Sequence, residues 1–386
     1  MKRLVYALMF IILALSACGT APSSAPVPTA TLAAVPSLAE TSTPLLTATP
    51  TSAPTPLYPP EGYGPANFPT DVDPLTGMKF ADPALLNRRP MLIKVTNLPR
   101  DNRPQWGLSL ADIIFEYYTE EGTTRFSAIF LGKDASMVGP IRSGRFIDGQ
   151  LVKGYKAIFA FGSAYVVEMN RFLKSDYSDR LVLEGPGAPF TRYDPNGYNH
   201  LITNTTDLSA YATRKGINSR QDLSGMLFNS SVPAGGQPGA QVYVRYSGAI
   251  YNRWDYDPAT GKYLRFSDNA DAVNGVGSEV YAQLTDRLTN QPVTADNVIF
   301  LYVNHEEYSP GILDILLIGS GDAVAFRDGQ TYQVKWQRND NDVVSLTNPD
   351  GTPFAFKPGN TFFEVIGLKS TVAQADTSWR FTNLMP

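Results

Sequence analysis

The sequence predicts an α+β fold, in which a mixed α/β N-terminal domain precedes a smaller, antiparallel, β-rich C-terminal domain. Three observations favour it. Apolar strand patterns alternate with helical patterns before residue 230, strand and turn patterns fill the chain after residue 241, and the segment between them (SSVPAGGQPGAQ) is rich in Gly and Pro. The roughly 320 residues that follow the N-terminal tail exceed one typical domain. We therefore expect domains at 61–229 and 242–386, joined by a linker at 230–241.

The N-terminal domain is predicted to alternate strands and helices. Its first strand is expected at 91–97 (MLIKVTN), an apolar run. The stretch 109–131 begins with a short helical turn and continues as two strand patterns joined across Glu120, Glu121 and Gly122. Periodicity then predicts a helix at 145–153, a buried strand at 156–162 and a helix at 165–173. This alternation is typical of a layered α/β or α+β fold.

The C-terminal domain is predicted to consist almost entirely of strands and turns. Strand patterns flank the turn segment DPATGK, and two apolar strands follow at 297–303 and 312–319. The pair Asp328–Gly329, set between alternating runs, is the strongest short-range signal for a β-hairpin. The pair Asp350–Gly351 repeats that chemistry. We therefore expect a small antiparallel β domain.

The first residues predict a secretory signal that ends at a lipid-modified cysteine. Lys2 and Arg3 precede an apolar stretch that is too short to span a bilayer permanently. Small residues then lead to Cys18, the single cysteine of the chain, at the position where such a signal is cut. We expect residues 1–17 to be removed and Cys18 to carry the lipid that anchors an extracytoplasmic protein to the bacterial cell membrane. The alternative is an ordinary signal peptide with a chance cysteine.

Residues 18–60 are predicted to combine this anchor with a disordered tether. From Gly19 to Pro60 the chain is almost only Pro, Thr, Ser, Ala and small apolar residues, with Glu40 as its sole charge. Such a composition cannot bury enough apolar surface to fold. Pro-rich chain extends by about 3.1 Å per residue, so the tether reaches on the order of 100 Å from the membrane.

Composition excludes several functional classes. With a formal net charge of −4, the chain lacks the basic footprint of a nucleic-acid-binding protein. A single cysteine excludes disulfides and thiolate zinc sites, and a lipid-modified Cys18 cannot act as a nucleophile. The sequence contains neither a Gly-x-Ser-x-Gly elbow nor a His-Glu-x-x-His motif. We expect no metal and no cofactor.

Two motifs resemble a known family. The run RPQWGLSLADIIFEYYTEEGTTRF (103–126) followed by GPIRSGR (139–145) is similar to the pattern of the YerB-like family of bacterial lipoproteins, and the resemblance covers most of residues 80–370. It implies a two-module lipoprotein at the cell surface and no established reaction. Two positions depart from the family pattern. Glu121 replaces the first glycine of the usual pair, and His200 follows Asn199, whereas the family has the order His-Asn-Leu.

The segment 139–145 carries the most distinctive candidate site. Arg142 and Arg145 lie three positions apart in a glycine-framed turn that leads into a predicted helix. If Ser143 caps that helix, free backbone N–H groups and the helix dipole favour an anion there. Guanidiniums add forked donors that suit carboxylate or phosphate. We therefore predict an anion site made of Arg142, Ser143 and Arg145, with Arg125 in support.

Internal ion pairing is the alternative. Asp112, Glu116 and Glu120 lie at alternate spacing on one predicted strand, and Arg125 lies on the returning strand. These charges can neutralise one another in a structural network. As an acid–base pair, Glu116 and Glu120 are poorly spaced, because four strand residues separate their Cα atoms by roughly 13 Å, whereas glycosidase carboxyl groups lie about 5 to 9.5 Å apart.

Three functions remain open. The first is a surface-exposed binding module for an anionic cell-envelope component. The second is a hydrolase that acts on cell-wall or glycan material, with Glu116 or Glu120 as the base, although no motif favours an enzyme. The third is a structural envelope protein without a ligand. His200 and Arg192 are weaker candidates, because a lone loop histidine is usually solvated or structural. The sequence identifies no protein partner.

Overall fold

The computed structural model describes residues 58–80, 82–197 and 200–385. The predicted signal peptide, the lipidation at Cys18 and the predicted tether before residue 58 lie outside these residues. So do Tyr198 and Asn199. The described residues all belong to one compact unit.

The described N-terminal half contains short strands and three α-helices. In chain order they are β1 (Met91–Thr96), β2 (Ile113–Tyr118), β3 (Thr124–Phe130), α1 (Phe146–Gly154), β4 (Ile158–Ala160), α2 (Val166–Leu173), β5 (Leu181–Val182), β6 (Thr191–Arg192), β7 (Leu201–Ile202) and α3 (Thr205–Arg214). Short 3₁₀ helices lie at Pro83–Asn87, Arg100–Asn102, Leu108–Leu110 and Ser178–Arg180. The helices and strands predicted at 91–97, 109–131, 145–153, 156–162 and 165–173 are present.

The C-terminal half is built from strands. They are β8 (Gln237–Pro238), β9 (Gln241–Arg245), β10 (Tyr251–Asp257), β11 (Lys262–Asp268), β12 (Tyr281–Gln283), β13 (Thr294–Ala295), β14 (Asn297–Ser309), β15 (Ile312–Leu316), β16 (Gly319–Arg327), β17 (Gln330–Arg338), β18 (Ser345–Thr347), β19 (Thr361–Gly367), β20 (Thr371–Ala375) and β21 (Ser378–Thr382). A 3₁₀ turn lies at Val276–Ser278. The predicted hairpin at Asp328–Gly329 joins β16 to β17, and both turn residues have positive φ.

A twelve-stranded mixed sheet runs through both halves of the chain. Its order is β18-β17-β16-β14-β19-β2-β3-β1-β4-β5, with β15 paired to β14 and β8 paired to β17. The two halves meet where β2 pairs in parallel with β19, from Ile113 opposite Thr361 to Tyr117 opposite Val365. Both strands are almost entirely buried, which explains why their sequences are nearly continuous apolar runs.

The large sheet lies between two hydrophobic layers. Ile113, Phe115 and Tyr117 of β2 point to the face covered by α1 and α2. Ile114 points to the opposite face, which packs against α3 and against a seven-stranded sheet ordered β12-β11-β10-β9-β21-β20, with β13 paired to β11. Because side chains alternate along a strand, Glu116 shares the face of Ile114 and is directed toward the second sheet.

The structure departs from the predicted fold class in two features. The described chain is 38% strand and 14% helix, so the N-terminal half is not clearly α/β. The reason is local: β2 and β3 are joined by a tight turn into an antiparallel hairpin, where an α/β fold would have a helical crossover. The C-terminal half is not purely antiparallel either, because β14 pairs in parallel with β19 and β21 pairs in parallel with β9.

Candidate functional site

The turn between β2 and β3 positions the central carboxylate of the site. Thr119 donates its backbone N–H to the Thr123 carbonyl at 2.9 Å, and the three residues between them form the loop. Glu121 (φ 53°) and Gly122 (φ 76°) both adopt left-handed backbone conformations, which glycine accepts without strain. Glu121 thus adopts a left-handed conformation at the position where the pattern of the YerB-like family has glycine. The turn carries Glu120 toward the start of α1.

Glu120 holds two arginines. Arg145 donates from Nε to Glu120 Oε2 at 2.7 Å and from a terminal nitrogen to Oε1, which is the forked geometry that suits a carboxylate. Arg125 donates to the same Oε1 at 3.2 Å. Arg145 also lies 3.6 Å from the buried carboxylate of Glu168. We call Glu120, Arg125, Arg145 and Glu168 the turn cluster. Within it, Arg145 is about as buried as a core residue, with 8% of its side chain exposed.

The N-terminus of α1 is closed by the protein itself. Asp148 accepts the backbone N–H of Arg145 at 2.6 Å, so the third residue of the helix caps the first turn. The prediction that Ser143 caps this helix is wrong: its hydroxyl pairs with that of Ser163 at 2.8 Å. The helix begins two residues later than that role requires. The N–H groups expected to attract an anion are therefore partly occupied.

A second buried polar group lies directly behind the turn cluster. Lys94 of β1, Tyr117 of β2, Ser127 of β3 and Asp148 of α1 converge, and we call them the Lys94 cluster. Lys94 Nζ lies 3.3 Å from Asp148 Oδ1, and Ser127 donates to that oxygen at 2.5 Å. None of the four is exposed. Burial lowers the pKa of Lys94 to about 7, although Asp148 opposes the shift.

Arg142 lies on the surface of a cleft, apart from the turn cluster. Its Nε donates to Thr96 Oγ1 at 3.1 Å, and a terminal nitrogen donates to the Leu98 carbonyl at 3.2 Å. The cleft has a volume of about 700 Å³ and is lined from the segments 98–101 and 120–125, with Arg142, Ala249 and Asp271. Arg100 and Arg125 line it as well. We call it the arginine cleft.

Glu116 belongs to a different cluster, between the two sheets. Arg265 of β11 donates to Glu116 Oε2 at 2.5 Å and to Glu364 Oε1 at 3.2 Å. Asn97 and Thr124 donate to the other oxygen of Glu116. All three charged side chains are at most 1% exposed. We call Glu116, Arg265 and Glu364 the inter-sheet cluster. A substrate has no direct access to Glu116 in this arrangement, so the geometry does not favour Glu116 as a catalytic base.

Within the inter-sheet cluster, Glu364 is the carboxyl group whose pKa is shifted. Burial, together with the nearby carboxylate of Glu116, raises the pKa of Glu364 to about 7. Tyr246 and Trp254 each donate a hydrogen bond to it at 2.9 Å. The guanidinium of Arg265 thus donates to the carboxyl groups of both Glu116 and Glu364. When Glu364 carries a proton, the charges of Arg265 and Glu116 balance each other.

The remaining predicted residues are dispersed. Asp112 precedes β2 and accepts the backbone N–H groups of Leu131 and Gly132 at 2.6 and 3.0 Å, and burial raises its pKa. Arg192 forms an exposed pair with Glu184, and the ring of His200 packs at a tilt against the ring of Tyr193. The structure therefore brings Glu120, Arg125 and Arg145 together, places Arg142 on the cleft that Glu120 and Arg125 also line, and separates these residues from Asp112, Glu116, Arg192 and His200.

Sequence reasoning missed five charged residues of the buried clusters: Lys94, Asp148, Glu168, Arg265 and Glu364. Lys94 and Glu364 interrupt buried apolar strands, in MLIKVT and TFFEVIG, whereas Arg265 lies in the mixed strand KYLRFSD. A charge inside a buried strand is rarely tolerated without a partner, so this pattern was the available signal. Among the described residues, no group of three or more His, Cys, Asp or Glu side chains is placed to hold a metal ion. None of the described helices is long and apolar enough to cross a membrane.

Comparison with known proteins finds two family models, a named relative and a solved structure that match the chain. Two family models match it, described as the N-terminal and C-terminal domains of a protein of unknown function (DUF3048), over residues 75–218 and 242–363. The Bacillus subtilis (strain 168) protein named "Putative lipoprotein YerB" is 29% identical over 299 residues, which are 76% of this chain and 85% of that protein. The crystal structure of YerB from Bacillus subtilis superposes with a TM-score of 0.65 at 28% identity, covering 76% of this chain and 96% of that one.

Proposed function

The chain belongs to the YerB-like family, with its DUF3048 N-terminal and C-terminal domain pair, and on that premise we propose that it is a lipid-anchored, extracytoplasmic protein that binds an anionic envelope component in the arginine cleft. The observation that carries the binding proposal is the convergence of Arg100, Arg125 and Arg142 on one cleft of about 700 Å³. That volume falls in the range of small-molecule sites, about 300–1,000 Å³.

Anchoring rests on the N-terminal sequence and on the relative named as a lipoprotein. Cys18 is the single cysteine of the chain and follows a short apolar segment. We expect Cys18→Ala to move the protein from the membrane fraction to the soluble fraction, because the lipid is then absent. The matched control is Ser16→Ala, which leaves the cysteine in place. Equal membrane retention of parent and Cys18→Ala would contradict the anchor.

The balance of charges in the cleft indicates what the ligand carries. Glu120 already holds Arg125 and Arg145, and Asp271 pairs with Arg100 at 2.9 Å. Asp101 and Glu121 are exposed on the same cleft. A ligand with one phosphate or carboxylate and several hydroxyl or amino groups therefore fits better than a densely charged polyanion, which the two exposed carboxylates would repel.

A second cleft on the other side of Glu120 is less suited to an anion. It has a volume of about 500 Å³ and is lined by Glu120, Glu121 and Glu307 together with tyrosines and aliphatic residues. In its described lining no Arg or Lys is present. The side of the turn that carries Arg125 and Arg142 is thus the better candidate for an anionic ligand.

Thermal unfolding with glycerol 3-phosphate and with glycerol tests the binding proposal. We expect the phosphate compound to raise the Tm of the parent in a concentration-dependent way, and glycerol to have no such effect, because a ligand that binds only the folded state stabilises it by about 2.7 kcal/mol at 100 times its Kd. Arg142→Gln should abolish the shift.

Arg220→Gln is the matched control, because Arg220 is exposed, donates to the Thr70 carbonyl and to no other group among the described residues, and does not line the cleft. It should keep the full ligand effect. A parent that shows no phosphate-dependent shift, or an Arg142→Gln variant that shifts as the parent does, would refute the cleft as an anion site and favour a structural envelope protein.

A further inference from the structure

β20 is an unprotected edge strand. It ends the second sheet, and among the described strands it pairs only with β21. All five of its residues, Thr-Val-Ala-Gln-Ala, are exposed, so neither face of the strand packs on the core. Natural edge strands are usually protected from pairing by charges, proline or bulges, and this segment contains neither a charge nor a proline.

The turn beside β20 determines which of its backbone groups face outward. Ala375 lies opposite Ser378 across the two-residue turn Asp376–Thr377, and residues that flank such a turn exchange hydrogen bonds with each other. Hydrogen-bonded positions alternate along an antiparallel pair, so Thr371 and Ala373 also face β21. Val372 and Gln374 therefore direct their N–H and C=O groups away from the sheet.

We propose that β20 pairs with β20 of a second copy of this chain, antiparallel, with Ala373 on the two-fold axis. Only outward-facing residues can exchange hydrogen bonds across the new interface, so Val372 of one copy must lie opposite an outward-facing residue of the other. Placing it opposite Gln374 overlaps all five residues and forms four backbone hydrogen bonds. A slip by one residue places Val372 opposite Ala373, whose groups face β21, and forms none.

The side chains of β20 suit this register. The two Ala373 residues meet at a position without mutual hydrogen bonds, where Cα atoms approach to about 4.5 Å, and alanine is small enough for that approach. Lys369 precedes the strand and Asp376 follows it. In this register Lys369 of each copy lies opposite Thr377 of the other and one position from Asp376, so opposite charges lie close together at both ends of the paired strands. This charge complementarity exists for a second copy of the chain and selects it over an unrelated strand.

Two five-residue strands bury less surface than the 1,200 Å² or so of total area that stable complexes need. We therefore expect a weak dimer with an isologous interface, in which a two-fold axis pairs the same surface of both copies. This dimer forms at high local concentration. Confinement of both copies to one surface raises their effective concentration and favours pairing. The test must for this reason include the protein in its native membranes.

Cysteine crosslinking in intact cells tests the register. Ala373→Cys places two thiols on the two-fold axis, and a short bis-maleimide should convert a large share of the protein to a species of twice the mass. Val273→Cys is the matched control, because Val273 is 80% exposed in a loop outside β20. The parent, with Cys18 alone, gives the background. A crosslinked product of any other mass, or equal crosslinking at residues 273 and 373, overturns the proposal.

Charge variants of the full chain give a second measurement, by sedimentation in detergent at increasing concentration. Ala373→Lys places two like charges directly opposite and should abolish the association of the parent. Val372→Lys combined with Gln374→Glu places opposite charges in register and should retain it. Circular dichroism and Tm check that each variant folds. Association of Ala373→Lys equal to that of the parent, or loss of association in the paired variant, contradicts the register.

Discussion

At the scale of single residues, Arg142 and Arg145 have separate roles despite their spacing of three positions. Arg145 is held by Glu120 in a forked pair and lies close to Glu168. Arg142 donates to a hydroxyl and a carbonyl on the surface of the arginine cleft. The difference arises because Arg145 immediately precedes α1 and is drawn under the β2–β3 turn, whereas Arg142 packs along the end of β1.

This difference predicts unequal costs of substitution. Arg145→Ala should lower the free energy of unfolding by about 3–5 kcal/mol, because it leaves the buried carboxylate of Glu168 without its cation and leaves Glu120 with Arg125 alone. Arg142→Ala should cost about 1 kcal/mol, the typical net value of a hydrogen-bonded group. Urea denaturation measures both, with Arg220→Ala as an exposed control. Equal losses at 142 and 145 would contradict the separate roles.

Glu364 predicts a dependence of stability on pH. Its pKa is raised from 4.5 to about 7 in the folded protein, by burial and by Glu116, so the folded state keeps a proton that the unfolded state releases. The stability this proton provides is fully present below pH 4.5 and is lost as the pH rises through about 7. The groups that face Glu364 are Glu116, Arg265, Tyr246 and Trp254.

The Glu364→Gln variant, which cannot titrate, should therefore lose less stability than the parent between pH 5 and pH 7.5. Free energies of unfolding at the two pH values give the comparison. Glu306→Gln, at an exposed position of β14, is the control and should follow the parent. A slope for Glu364→Gln identical to that of the parent would show that the carboxyl of Glu364 does not titrate in this range.

At the scale of elements, local turn chemistry was predictable from sequence and strand partners were not. The Asp328–Gly329 hairpin, β1 and α1 are found where periodicity and turn residues indicate them. The parallel pairing of β2 with β19 joins segments far apart in sequence, and no local pattern encodes it. The strand predicted at 297–303 shows the same limit: β14 continues to Ser309 and includes the buried His305, because β15 extends the pairing.

The candidate site was predictable only in part for the same reason. Arg125, Arg145 and Glu120 were identified because they are close in sequence to recognisable turns. Ser143 was assigned the cap that Asp148 provides, since both are common in capping positions and only the exact start of α1 decides between them. Arg265 and Glu364 meet Glu116 only through the packing of two sheets, which sequence periodicity does not specify.

The β16–β17 hairpin gives a prediction at this scale. Gly329 has φ 71°, and a Cβ added there would lie 2.8 Å from the ring of Tyr256. Gly329→Ala should therefore lower the Tm more than Gly351→Ala, whose φ is 88° but whose added Cβ meets nothing within 4 Å. The second variant reports backbone strain alone, about 1 kcal/mol.

Gly185→Ala is the control of this series. Gly185 does not have a left-handed backbone conformation, and a Cβ added there would meet no atom within 4 Å. The Tm of this variant should therefore equal that of the parent. If Gly329→Ala and Gly351→Ala lowered the Tm equally, contact with Tyr256 would have no measurable cost.

At the scale of the whole molecule, two sequence modules share one sheet. The family models divide the chain at 218–242, yet β2 of the first module lies between β3 of its own module and β19 of the second. The inter-sheet cluster adds Glu116 from the first module and Arg265 and Glu364 from the second. Contacts between modules are thus of the same kind as contacts within them.

This arrangement predicts the result of cutting the chain between the modules. Residues 230–238 are largely exposed, and limited proteolysis should cleave there. The two fragments should nevertheless elute together in gel filtration and separate only in denaturant, because the β2–β19 pairing and two hydrophobic layers hold them. An uncleaved sample is the control. Fragments that separate without denaturant would show that the predicted domains at 61–229 and 242–386 are independent.

The position of β2 beside β19 also bears on how the chain is made. A ribosome completes residue 118 long before it reaches residue 361, and at about 5–20 residues per second the interval is roughly 10–50 s. Throughout that time the apolar edge of β2 that β19 will cover has no partner, and an open edge of this kind invites pairing with other nascent chains. The centre of the large sheet therefore cannot close before β19, the last strand of that sheet in sequence, has been made.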